Sequence, residues 1–80
     1  MNVRLVAVDE HVLLRLGLSR LLAGVADIDL VGTAGSLAEA VEVVEGTWPD
    51  VVTFDAGLPD GDGWALARRL RSLRPPVGLV

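Results

Sequence analysis

Short apolar runs that stop on acids, separated by stretches of helical periodicity, constrain this chain more than any other feature it has. Val3 to Val8 is a run of strand length that ends at the pair Asp9 and Glu10, and Val51 to Phe54 is another that ends at Asp55. Asp29 to Thr33 reads as a shorter strand broken by Gly35, and Val77 to Val80 begins a fourth. Between these runs, Leu14, Leu18, Leu21 and Leu22 stand at i, i+4, i+7 and i+8, the inward stripe of a helix that stops near Gly24. Ser36 and Glu39 form an S-x-x-E capping box, in which each side chain takes an orphan backbone N–H at a helix start. The helix it opens turns Leu37, Ala40, Val41 and Val44 inward and Glu39, Glu42 and Glu45 outward, and is expected to end at Gly46.

Ala56 to Gly63 holds three glycines, a proline and two aspartates, so it is an irregular loop. A third helix follows from about Trp64 to Leu73, with Leu66, Leu70 and Leu73 inward, until Pro75 and Pro76 stop it. Strands and helices alternating over such short connections give a parallel sheet, because parallel neighbours need right-handed crossovers. The class is α/β, a doubly wound parallel sheet, and 80 residues leave room for one domain. Ligands of such sheets bind beyond the carboxyl ends of the strands. Asp9, Glu10 and Asp55 are therefore expected at one edge.

Composition removes several classes of chemistry. The chain has no cysteine, which excludes disulfides, thiolate zinc sites and thiol nucleophiles. Its seven cations are all Arg, against eleven carboxylates, for a net charge of −4, a poor balance for direct nucleic-acid binding. The local group Arg68, Arg69, Arg71 and Arg74 has no interleaved aromatics and reads as the solvated side of a helix. The longest charge-free stretch, Leu30 to Ala38, is nine residues, far short of the ~18 of a membrane span. With no signal-peptide pattern at the start, a soluble, cytoplasmic chain is expected.

Carboxylates gathered at strand ends repel one another, and a bound hard cation relieves them. Magnesium is the natural candidate, and a carboxylate beside it can act as a nucleophile toward phosphorus. Taken singly, Asp9 or Glu10 is better explained as a helix cap. The combination of an acidic pair after the first strand and a lone acid after the third favours a site. His11, the only histidine, would start a helix at the mouth of the pocket, in a solvent-exposed role.

Asp60-Gly61-Asp62-Gly63 fails the calcium-loop pattern, since Leu58 and Arg69 stand where acids belong, and Asp60 and Asp62 read as turn residues. No glycine-rich phosphate cradle is present. A phosphatase of haloacid-dehalogenase type would need a second Asp two residues after Asp55, and position 57 is Gly. Trp48 and Trp64 suit the core, with Trp64 alternatively bordering the pocket.

Leu-Val-Ala-Val-Asp-Glu-His at 5 to 11, Pro-Asp-Val-Val-Thr-Phe-Asp at 49 to 55 and Leu-Pro-Asp-Gly-Asp-Gly at 58 to 63 follow in order. In this combination the chain resembles the receiver domain of bacterial response regulators. Val-Gly-Thr-Ala-Gly-Ser-Leu-Ala-Glu-Ala at 31 to 40 is similar to the NarL/FixJ branch, whose receivers precede a helix-turn-helix DNA-binding domain.

The resemblance implies a flavodoxin-like fold and a non-enzymatic phosphoacceptor, with Asp55 receiving phosphoryl from a sensor histidine kinase. It implies Mg2+ held by Asp9, Glu10, Asp55 and the backbone carbonyl of Gly57, with Leu58, Pro59 and Gly63 shaping the pocket loop. Glu10 stands where the family often has Asp. The family's switch Ser or Thr and its Lys have no counterpart among these residues. Residues 1–80 are thus expected to form the N-terminal two-thirds of a receiver, with strand order 2-1-3-4, three helices and no output domain. The resulting open fourth strand and thinly covered first helix predict a homo-oligomer.

Overall fold

The computed structural model describes residues 2–55, 57–61, 63–71 and 78–79, with the backbone alone at 63, 64, 66, 67, 78 and 79. Its elements run β1 (Val3–Val8), α1 (Val12–Ala23), β2 (Ile28–Ala34), α2 (Leu37–Thr47), β3 (Val51–Phe54), α3 (Gly63–Arg71) and β4 (Gly78–Leu79). The sheet order is β2-β1-β3-β4, as the resemblance to receiver domains implies, and every described pairing is parallel. Among the described residues, no helix is long and apolar enough to cross a membrane. The expected roles of Leu73, Pro75 and Pro76, and of the Trp64 and Leu66 side chains, fall outside what is described.

β1 is the centre of the sheet, and its second half is buried on both faces: Val6, Ala7 and Val8 are each at most 2% exposed. Such continuous burial belongs to a parallel strand with helices above and below. Val6, Val8 and Val52 pack with Ala34, Ala40 and Val44 of α2's side, with Leu58 from the β3–α3 loop and with Leu70 of α3. Ala7 and Thr53 are out of phase with these and face the other way. With Leu14 and Leu18 of α1 they line an open groove of about 450 Å3 that ends at Asp9 and Asp55.

Gly32 of β2 lies under α2, where an added Cβ would stand 2.6 Å from Val43 Cγ1. Glycine here lets helix and strand approach. The pairing of β1 with β2 shifts by one residue between Leu5 and Val6, so that Val6 partners Gly32, and the carboxyl ends come into line at Val8 and Ala34.

Two sequence expectations change in detail. The stripe Leu14, Leu18, Leu21, Leu22 does not face inward as a unit, for Leu14 is 50% and Leu21 72% exposed. The inward line is instead Arg15, Leu18 and Leu22, at i, i+3 and i+7, and all three are half-buried. The Arg15 guanidinium lies against Gly35 and reaches Glu39 Oε1 at 3.8 Å, so a cation occupies a position the apolar pattern had given to leucine.

The second change is at the end of α2. The helix runs through Gly46 to Thr47, and Trp48 closes it in the left-handed conformation (φ 47°, ψ 64°). Trp48 donates its N–H to the Val44 carbonyl at 2.8 Å, and its own carbonyl accepts from Arg4 Nη1 at 2.9 Å. A tertiary contact from β1 thus holds a backbone geometry that glycine more often supplies. Trp48 is 41% exposed and does not join the core.

Candidate functional site

The parallel register builds the site. β1 and β3 pair from Leu5 with Val51 to Val8 with Phe54, so the next residues, Asp9 and Asp55, emerge side by side. Hydrogen bonds continue one step past each strand: Asp9 N–H donates to the Ala34 carbonyl at 2.9 Å and Asp55 N–H to the Val8 carbonyl at 3.0 Å. The backbone of both acids is therefore fixed by the sheet.

Local turns then fix the side chains. Asp55 Oδ1 accepts the Gly57 N–H at 3.0 Å. Asp9 Oδ1 accepts two bonds from His11, the backbone N–H at 2.9 Å and ring Nδ1 at 2.7 Å. The His11 backbone N–H, above all, holds the Asp9 carboxyl below its ordinary value, against the opposing effect of burial, with help from the ring and from Arg15. Asp9 in turn raises the His11 imidazole above its usual 6.5 by hydrogen bonding and charge, joined by Glu10 and Asp55.

Ligand atoms of Asp9, His11 and Asp55 all lie within 4.8 Å of one another. Two carboxylates and an imidazole at the open edge of a sheet form a donor set for a divalent cation. Of the residues named from sequence, Asp9 and Asp55 come together here. Glu10 is exposed and stands outside this group, although its charge reaches His11. Gly57 and Pro59 are exposed beside Asp55, Leu58 is buried in the core at 6% exposure, and Gly63 opens α3.

Two residues acquire roles that the sequence did not announce. His11 is 65% exposed as expected, yet its ring turns back onto Asp9 and joins the cluster. Asp60 is more than a turn residue: its carboxylate accepts the N–H groups of Leu37 at 2.6 Å and Ala38 at 3.1 Å, capping α2 from the β3–α3 loop. An i, i+2 Asp–His spacing after a strand is a usable signal for the first. The second needs a contact across 22 to 23 residues, which no local pattern reveals.

Comparison with known proteins places the chain in a family. The sequence model of the response regulator receiver domain matches residues 5–80. The chain belongs to that family. This receiver domain is 45% identical over 75 residues to the DNA-binding transcriptional activator DevR/DosR of Mycobacterium tuberculosis, covering 94% of this chain and 35% of that protein. It is 32% identical over 80 residues to a protein-glutamate methylesterase/protein-glutamine glutaminase of Hahella chejuensis, of which it covers 21%. Among solved structures, the signal receiver domain of the putative response regulator NarL from M. tuberculosis superposes with a TM-score of 0.87 at 35% identity, covering 98% of this chain and 63% of that one. The receiver domain described here thus spans about a third or less of these two full-length relatives.

Proposed function

We propose that this receiver domain is the phosphoacceptor of a bacterial two-component system, taking a phosphoryl group on Asp55 from a sensor histidine kinase in the cytoplasm. The observation that carries the reading is the register of β1 against β3, which sets Asp9 beside Asp55 at an exposed edge. In the transfer, the nitrogen–phosphorus bond of a phosphohistidine breaks as an Asp55 oxygen–phosphorus bond forms, and the imidazole leaves and takes up a proton. Gly57 N–H donates to Oδ1 and fixes the orientation of the attacking carboxylate.

The acids present fit a hard divalent cation, because oxygens from two strands converge where like charges would otherwise repel. Asp9 and Asp55 would hold it, with the Gly57 carbonyl and Glu10 as the further oxygen donors the family pattern suggests. Mg2+ there supplies positive charge that offsets the meeting of an anionic nucleophile with an anionic phosphoryl group. The protein's own part is to orient Asp55, to keep Asp9 ionised through His11, and to leave the edge open to a donor. The similarity to a DNA-binding transcriptional activator supports an output in transcription, delivered by a DNA-binding domain outside these residues.

The test is intact mass after incubation with a small phosphodonor and Mg2+, alongside folded Asp55→Asn. One phosphoryl group on the parent and none on the variant is the expected result; an unmodified, folded parent overturns it.

A second reading is favoured by α1. Val12, Leu13, Leu14, Leu16 and Leu21, most of the exposed large apolar side chains among the described residues, crowd this one helix. A homo-oligomer that covers them serves as an interaction module with or without phosphorylation. Sedimentation over a concentration series separates the cases: a monomer at high concentration removes this reading and leaves the first intact.

A further inference from the structure

We propose that Asp60 is a positioning residue for Asp55: by fastening the β3–α3 loop to the first turn of α2, it holds Gly57 where its N–H orients the acceptor carboxylate. The inference rests on the reading of Asp55 as the phosphoacceptor and adds the contact that keeps it aimed.

The loop has little of its own to hold it. Of residues 57–61, Gly57 and Gly61 carry no side chain and Pro59 is exposed. Leu58 is the apolar anchor, packed in the core at 6% exposure. Gly61 N–H turns back to the Leu58 carbonyl and closes a four-residue turn, but at 3.5 Å. That is longer than the ordinary range of about 2.7–3.2 Å, so the turn needs support from outside.

Asp60 supplies it. It stands third in the turn, and its two oxygens accept the N–H groups of Leu37 at 2.6 Å and Ala38 at 3.1 Å. The turn also lies close on α2, for a Cβ added to Gly61 would stand 3.3 Å from Leu37 Cδ1. One end of this short loop therefore touches Asp55, through the Gly57 N–H to Oδ1 at 3.0 Å, and the other grips α2. Held by Leu58 alone, the loop is free to pivot. A second attachment two residues further on fixes its direction, and with it the peptide that joins Gly57 to Leu58.

The fastening matters more to the loop than to the helix. α2 has its own cap in Ser36 Oγ, which accepts the Glu39 N–H at 3.2 Å, and it buries Ala40 and Val44 completely. Asp60 is exposed, so water takes its place at Leu37 and Ala38 when it is removed. Gly57 has no such substitute. The reaction is sensitive to that loss, because displacing a reacting group by about 1 Å costs on the order of a hundredfold in rate.

The experiment follows phosphoryl addition by intact mass against time, with Mg2+ and a series of acetyl phosphate concentrations, for the parent, Asp60→Ala, Asp60→Asn and Ser36→Ala. Circular dichroism checks each fold, and NMR follows the Gly57 amide. Ser36→Ala loosens the same helical turn from its other side and leaves the loop attached, so it reports what the stability of α2 contributes by itself. Asp60→Ala should lower the rate about tenfold at every donor concentration and speed exchange of the Gly57 amide, while Ser36→Ala stays within about twofold of the parent in both. Asp60→Asn, which keeps one acceptor oxygen, should fall between, and it carries the test if the alanine variant does not fold. If the Asp60 variants react as the parent does, or if Ser36→Ala slows the reaction as much as they do, Asp60 serves α2 alone; the inference falls and the phosphoacceptor reading stands. If the folded parent takes up no phosphoryl group, the two fall together.

Discussion

The two helices that follow β1 and β2 start from similar connections and are held in opposite ways. α2 buries Ala40 and Val44 completely and has its first turn tied down by side chains from two segments. Ser36 Oγ accepts the Glu39 N–H at 3.2 Å, Glu39 Oε1 accepts the Gly35 N–H at 2.6 Å, and Asp60 takes the next two. α1 has no buried residue and no side-chain cap bond. Its start is held through Asp9 and its middle through Arg15, whose Nε is buried without a partner among the described residues. The helix that is loosely packed is the one that opens directly from the acidic edge. Burial is thus concentrated away from the acidic edge, and α1 leaves Val12, Leu13, Leu14, Leu16 and Leu21 exposed.

The largest test of this contrast is a pair of truncations. Val44→Ala removes two methyl groups from a fully buried position on α2 and should cost about 2 kcal/mol. For a domain of this size that is a fall in Tm of roughly 10 °C. Leu21→Ala, on the exposed face of α1, should stay within about 0.5 kcal/mol of the parent in the same urea or thermal melts. Equal losses from the two would break the comparison.

Glycines sharpen it, because they give opposite signs. Gly32→Ala puts a methyl group 2.6 Å from Val43 Cγ1, and Val43, being β-branched, has little freedom to yield. A loss of about 1–3 kcal/mol is expected. Gly17, in the middle of α1, has nothing within 4 Å of an added Cβ and no positive φ. Gly17→Ala should therefore raise stability by about 0.5–1 kcal/mol through helix propensity alone. A gain at both positions would mean that α2 does not press on β2 as closely as described.

How much of this was legible beforehand follows from where each signal lives. The α/β class and the meeting of Asp9 with Asp55 follow from apolar runs and short connections, which are local and additive along the chain, whereas the full strand order comes with the family resemblance. The Ser36–Glu39 capping box is local too, and the structure forms it, with Glu39 reaching Gly35 rather than Ser36. What escaped the sequence depends on contacts between distant segments. Asp60 looked like a turn residue because its partners lie on another helix. Trp48 rather than Gly46 ends α2 because Arg4 holds its carbonyl. Arg15 displaced two leucines from the inward face of α1 because a glycine and a glutamate across the edge made room for a guanidinium. His11 sat at the intended place, but only the turn back to Asp9 revealed that its ring belongs to the cluster.

Removing one cap tests α2 more gently. Ser36→Ala should cost about 1 kcal/mol, with faster amide exchange confined to the first turn. The global fold should survive, because Asp60 still satisfies Leu37 and Ala38. Collapse of the whole helix would show that the two caps do not act independently.

The smallest expected effect concerns pH, and it distinguishes the two helix starts by direction. Asp60 is held below its ordinary 3.8 by the N–H groups of Leu37 and Ala38, so its contribution to α2 is complete above 3.8 and is lost as pH falls through the lower folded value. Asp9, lowered from the same 3.8 chiefly by the His11 N–H, behaves alike at the start of α1. His11 has the opposite sign: its folded pKa is raised from 6.5, so its contribution is complete below 6.5 and is lost as pH rises through the folded value. The start of α1 should therefore be strongest in a window between the two, while that of α2 has no alkaline limit from Asp60. Titration by NMR with residue-resolved amide exchange checks this. Raising pH past the His11 transition should loosen residues 11 to 15 and leave 37 to 40 unchanged, and Asp9→Asn should bring His11 back toward 6.5. A His11 pKa that Asp9→Asn leaves unmoved would mean that the ring is not held by that carboxylate, and that Asp9 anchors the start of α1 through the His11 backbone N–H alone.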